Sequence, residues 1–149
     1  MIGTCLIDRV RRSVFFAYVL TIATLTHWPG LVVTGPTARP DLLVHIGVFS
    51  LWTLLAWASG LQGRLGDGRT AARSMAVAAV YAALDEGTQQ FVGRISSWED
   101  FAANLMGVGL AGCAIAGLGA AIHRLTSPGV RSPDAFSAGP GQARLLTRR

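Results

Sequence analysis

Apolar residues run through the chain in four long blocks, approximately Val14 to Val33, Leu42 to Leu61, Ala72 to Val92 and Phe101 to Ile122. Each is close to the roughly 20 residues that a bilayer-spanning helix needs. Over most of their length neither a helical nor a strand period separates one polar face from an apolar one, so these helices are apolar nearly all round. A soluble four-helix bundle would carry charge along its outer faces, and these blocks lack it. The pattern predicts an all-α polytopic membrane protein, a four-transmembrane-helix antiparallel bundle with short connections. The linker Gln62 to Thr70, with Gly63, Gly66, Asp67 and Gly68, reads as a cytoplasmic turn.

Charge sets the orientation. Arg9, Arg11 and Arg12 precede the first block, Arg64, Arg69 and Arg73 lie between the second and third, and Arg124, Arg131, Arg144, Arg148 and Arg149 follow the fourth. Only Arg39 and Arg94 fall in the other two loops. The positive-inside rule then puts both termini in the cytoplasm. No Ala-x-Ala site follows the first block, which is read as an uncleaved anchor. The expected organisation is a cytoplasmic N-terminus over residues 1–13, a membrane domain over 14–123 and a disordered Arg/Pro/Gly-rich cytoplasmic tail over 124–149.

Composition narrows the function classes. Of 149 residues 51% are apolar or aromatic and only 14% are charged. All thirteen basic residues are Arg, placed at span ends and in the tail with no aromatic-rich basic face, so no nucleic-acid partner is expected. Cys5 and Cys113 lie in or beside apolar runs without ligand-like neighbours, which gives neither a zinc motif nor a disulfide framework. Ala103, Gly107 and Ala111 recur every four positions, and with Gly109, Gly112, Gly117 and Gly119 they predict close helix packing. Trp57, near the cytoplasmic end of its block, and Trp98, in the outer loop, read as interface anchors.

Ionisable groups near a bilayer centre cost about 2.5–3.5 kcal/mol each, so their positions carry the information. Asp41 and His45 open the second block, Asp85, Glu86, Gln89 and Gln90 lie late in the third, and Asp100 and Asn104 open the fourth. At about 1.5 Å per residue, His45 and Asn104 lie roughly 6 Å and Glu86 roughly 9 Å below the outer ends of their spans. They share one slab near the outer leaflet. The pairs Asp41 and His45, Asp85 and Gln89, and Asp100 and Asn104 are each four residues apart, as are Glu86 and Gln90, so each span carries one polar stripe that a bundle can turn inward. Arg94, after Gly93 in the short outer loop, is placed to cap the cluster with positive charge. His27 sits where it could reach the same slab. Each element also has a plainer account: Asp41 and Asp100 as N-caps or first-turn acids, His45 as a hydrogen-bonded core histidine, Asn104 and Gln89 as interhelical glue.

The Asp-x-x-x-His from Asp41 to His45, the run Leu84-Asp85-Glu86-Gly87-Thr88-Gln89-Gln90-Phe91-Val92-Gly93-Arg94, and then Ser97, Asp100, Asn104 and Gly107 together resemble the VanZ-like family of small bacterial integral membrane proteins, named for a member linked to teicoplanin resistance. The resemblance covers about residues 41 to 112. It departs from the family at Leu42, where many relatives carry a basic residue, and at Val92, where many carry Pro. It implies a multi-pass protein of the bacterial inner (cytoplasmic) membrane with a role in the cell envelope.

Three functions compete. In the first, Asp41, His45, Asp85, Glu86, Gln89, Arg94, Asp100 and Asn104 form an outward-facing pocket for the headgroup of a lipid, a lipid-linked envelope precursor or a glycopeptide-like amphiphile, with Arg94 on phosphate or carboxylate. In the second, the imidazole and carboxylates serve a membrane-embedded hydrolase or transferase acting on a lipid phosphate or amide, with or without a divalent metal. No HExxH, no Ser or Cys nucleophile near His45 and no paired His support it, so the sequence assigns no catalytic residue, metal ligand or cofactor. In the third, the polar layer only fixes helix register in a structural adaptor. Oligomeric state is left open.

Overall fold

A computed structural model describes residues 2–30, 35, 39–94 and 97–126, and the regular structure among them is all helical, with no strand. The helices are α1 (Ile2–Thr26), α2 (Pro40–Ala58), α3 (Gly68–Gln89) and α4 (Trp98–Thr126), with a single 3-10 turn at Gln90–Val92 after α3. Two of them, α2 and α4, are long and apolar enough to cross a membrane. The tail assigned to disorder lies outside the described residues from 127 onward.

Helix ends differ from the apolar blocks for local reasons. The first block does not stay helical to Val33: α1 stops at Thr26, three residues before Pro29, whose ring and missing N–H cannot continue a helix. At its other end α1 runs back through Arg12, Arg11 and Arg9 to Ile2. The second helix starts on Pro40, a residue suited to a first helical position. Asp67 caps α3, accepting from the Arg69 N–H at 2.9 Å, so that helix begins at Gly68 rather than Ala72. Ser97 does the same for α4, its Oγ accepting from the N–H groups of Glu99 at 3.1 Å and Asp100 at 3.4 Å. Asp41 and Asp100 are therefore first-turn acids, where the helix dipole favours negative charge, and not N-caps.

Consecutive helices run antiparallel, and α4 packs mainly against α2 and α3 while α1 lies against α2. The Tyr18 hydroxyl ties α1 to α2 by donating to the Val48 carbonyl at 3.0 Å. The core holds Phe15, Phe49, Trp52, Ala56, Ala78, Ala82 and Val108. Trp52 is buried, edge-on to Phe15 at 5.1 Å and stacked on Tyr81 at 5.2 Å. Trp98, by contrast, is exposed near the start of α4.

The tightest approach is between α2 and α4. A Cβ on Gly107 would meet the Ile46 carbonyl oxygen and come within 3.0 Å of the Ser50 nitrogen, so only glycine lets the two backbones touch here. Ser50 Oγ donates to the Gly107 carbonyl at 2.9 Å across the same contact. Ala103 and Ala111, one turn to either side, are buried, as their four-residue spacing predicts. The other glycines of α4 divide: Gly112 faces Met75, while Gly109, Gly117 and Gly119 have nothing within 4 Å and make no close packing. Gly107→Ala is expected to cost roughly 1–3 kcal/mol, because rigid backbone must move, whereas Gly109→Ala should leave stability unchanged or slightly raised. Thermal unfolding of both variants in detergent, followed by helical circular dichroism, checks the contrast.

Candidate functional site

The C-terminal ends of α1 and α3 and the N-terminal ends of α2 and α4 meet at one end of the bundle, and Asp85, Glu86, Gln89 and Asn104 are buried there. Asp85 and Glu86 are neighbours on α3, so a turn of about 100° separates their directions. Each acid accordingly faces a different partner helix. The polar slab is two clusters and not one.

Asp85 faces α1. Its Oδ1 accepts from the Thr26 hydroxyl at 2.7 Å and its Oδ2 from the Gln89 amide at 3.1 Å, the pairing that four-residue spacing predicts. His27, which the sequence placed within reach, does join: Nδ1 lies 3.9 Å from Asp85 Oδ1 and 3.0 Å from the Ala23 carbonyl, and Nε2 lies 2.9 Å from Thr88 Oγ1. Thr26 and Thr88, which supply two of these contacts, were not candidates, because a threonine near a helix end carries no distinguishing sequence signal. This cluster is satisfied.

Glu86 faces α2 and α4, and it is not satisfied. The residue is 4% exposed, and neither carboxylate oxygen has a hydrogen-bond partner among the described residues. The Ser97 backbone is near it without making a hydrogen bond. Gln89 turns to Asp85 instead, and Gln90 is exposed, donating to the Gly87 carbonyl at 2.8 Å. What surrounds Glu86 comes from other helices. One ligand-type atom each from His45 on α2, Glu86 on α3 and Asp100 on α4 lie within 4.8 Å of one another. Asn104, fully buried one turn below Asp100, receives His45 Nδ1 at 2.9 Å on its Oδ1. Asp100 Oδ1 is also buried without a hydrogen bond, 3.8 Å from Arg39 Nη2. The sequence assigned no metal ligands because motif spacing sees one helix at a time, whereas this group is drawn from three.

Two charged residues do other work than the sequence predicts. Arg94 does not pair with a carboxylate among the described residues. Gly93, in the left-handed conformation with φ 75°, closes the end of α3 through the Gly93 N–H to Gln90 and the Arg94 N–H to Gln89 carbonyls. The side chain of Arg94 then crosses to α1, where Nη1 donates to the carbonyls of Thr26 at 3.0 Å and Leu25 at 3.5 Å. A cation at a helix C-terminus also complements its dipole. Asp41 does not turn inward with His45 but pairs with Arg39 at 3.1 Å, and the same guanidinium reaches Glu99 at 2.7 Å. Asp41 and then Glu99 push the Arg39 guanidinium further up from its ordinary value, so it stays charged. Arg39 and Glu99 were missed because both look like ordinary loop and first-turn charges.

Two cavities each share a residue with the unsatisfied cluster, one at Glu86 and one at His45. One of about 280 Å³ is lined by Glu86, Gly87, Ser97, Trp98 and Phe101. Another of about 110 Å³ is lined by Thr26, Val44, His45, Phe49 and Arg94. No family model, curated protein or solved structure matches the chain. The chemistry of the site therefore has to be argued from its own groups.

An uncompensated buried carboxylate is expensive, while a buried carboxylate with two hydrogen bonds is stabilising in place. In chelator-treated protein, Glu86→Gln should raise the melting temperature. Asp85→Ala should lower stability by about 1–3 kcal/mol through its stranded partners Thr26 and Gln89. The two opposite shifts are read in one unfolding experiment.

Proposed function

We propose that the chain is a VanZ-like integral membrane protein with four spans and both termini in the cytoplasm, and that its polar end binds the headgroup of a membrane lipid or lipid-linked envelope precursor. The helices α2 and α4 pass the length and hydropathy requirement directly. The acids that make α3 less apolar point into the bundle, while Val77, Val80 and Leu84 on its outside are exposed. Leu20, Leu43, Met106 and Leu110 are likewise exposed on the other helices, so the bundle is polar within and apolar without at this level. That inversion suits hydrocarbon as the surrounding solvent. The distribution of Arg and the motif residues from Asp41 to Gly107 support the orientation and the family reading.

The observation that carries the headgroup reading is the 110 Å³ cavity in which Arg94 meets His45 and Thr26. Arg94 uses Nη1 on α1, which leaves its other donors for an anionic oxygen. Apolar flanks at Val44 and Phe49 suit the start of an acyl or prenyl chain.

Topology is checked with alkaline phosphatase fused after Gly66 or after Arg94. The first fusion should be inactive and the second active; the reverse pattern would invert the bundle. Headgroup binding is checked by native mass spectrometry of the protein with anionic phospholipid. Arg94→Ala should lower lipid retention at least several-fold while helical content stays at the wild-type level, and equal retention would remove the anion contact from the proposal.

A further inference from the structure

We propose that His45, Glu86 and Asp100 form a binding site for one divalent transition-metal ion, with Asn104 as the residue that positions His45. Three helices each contribute one ligand atom, and these atoms lie within 4.8 Å of one another. Protein ligands at about 2.0–2.2 Å from zinc stand roughly 3–4 Å apart, so closure onto an ion needs side-chain shifts of under about 1 Å. Such shifts are open to Asp100 and His45, which are only partly buried.

The second observation is independent of the clustering. Glu86 is 4% exposed, and both its oxygens are buried without a hydrogen bond or an ion pair among the described residues, while Oδ1 of Asp100 is buried without a hydrogen bond and has only the Arg39 guanidinium at 3.8 Å. Native proteins satisfy buried polar atoms almost everywhere, and an unpaired buried carboxylate asks for a cation or a proton. No Arg and no His nitrogen lies within 4.0 Å of Glu86 among the described residues. Arg39 reaches only the outer edge of the group, at Asp100. The neighbouring acid Asp85, with both oxygens bonded, shows what an acid in this bundle looks like when the protein itself completes its shell.

The third observation concerns the imidazole. His45 Nδ1 donates to Asn104 Oδ1 at 2.9 Å. That bond holds the tautomer in which Nε2 carries the free lone pair and fixes the plane of the ring, as partners behind metal-binding histidines do. One imidazole with two carboxylates favours zinc, manganese or ferrous iron over calcium or magnesium, which prefer oxygen alone. Three protein ligands leave a coordination position for water or a phosphate oxygen, and the 280 Å³ cavity lined by Glu86 gives room for it. The site needs only the folded bundle and stands whether or not a headgroup binds near Arg94.

The test uses the full chain purified in detergent, stripped with chelator, reloaded with zinc or cobalt chloride and desalted. Elemental analysis should find about one ion per chain, cobalt should give visible d–d absorption, and the melting temperature should rise on loading. Glu86→Gln and Asp100→Asn should each lose stoichiometric binding, and Asn104→Ala should weaken it about 10–100-fold. Asp85→Asn and Arg94→Ala should bind as wild type does, which separates this site from the headgroup pocket. Helical circular dichroism of each stripped variant confirms the fold. Wild-type protein that takes up no ion, or binding that is undiminished in both Glu86→Gln and Asp100→Asn, overturns the proposal and leaves a proton as the partner of Glu86.

Discussion

The backbones of α2 and α4 touch where Gly107 passes the Ile46 carbonyl, and the polar end of the bundle takes its geometry from that contact. Ile46 follows His45, and Asn104 lies three residues before Gly107. A fixed meeting point one turn away therefore brings the imidazole and the amide to 2.9 Å without further adjustment. Larger residues at 107 would part the helices and separate His45 from Asn104 and Asp100 together. Packing and chemistry here are one constraint.

The two acids of α3 show how the same residue type can serve opposite ends within one helical turn. Asp85 looks at α1, finds a hydroxyl and an amide, and acts as a brace between helices. Glu86, about 100° further round, looks at α2 and α4 and finds an imidazole and another carboxylate. Low polarity around both makes the first arrangement stabilising and the second costly on its own. A costly group that remains buried is where function is sought first, and the cavity that Glu86 lines agrees with that.

Much of this was legible from spacing. Four-residue intervals identified the Asp85 and Gln89 pair and the Ala103, Gly107 and Ala111 face, because neighbours on one helix obey a fixed geometry. Burial of Glu86 and Asn104 followed from the cost of leaving them in hydrocarbon. What spacing could not supply was the partner across a helix interface. Arg94 bonding to α1 carbonyls, Asp41 drawn outward by Arg39, and the division of the slab into two clusters all depend on how the helices are rotated about their axes. The end of α1 at Thr26 was lost for a simpler reason, since apolar residues continue past Pro29 to Val33 and the block was read through the proline.

The left-handed turn at Gly93 throws the Arg94 side chain back across the bundle, where it clasps the last carbonyls of a helix synthesised some seventy residues earlier. On a ribosome working from the N-terminus, that clasp has no counterpart until α3 and its closing turn have emerged. The first helix can meet α2 through the Tyr18 hydroxyl and side-chain packing alone, but the bond at its far end exists only once α3 and its closing turn are in place.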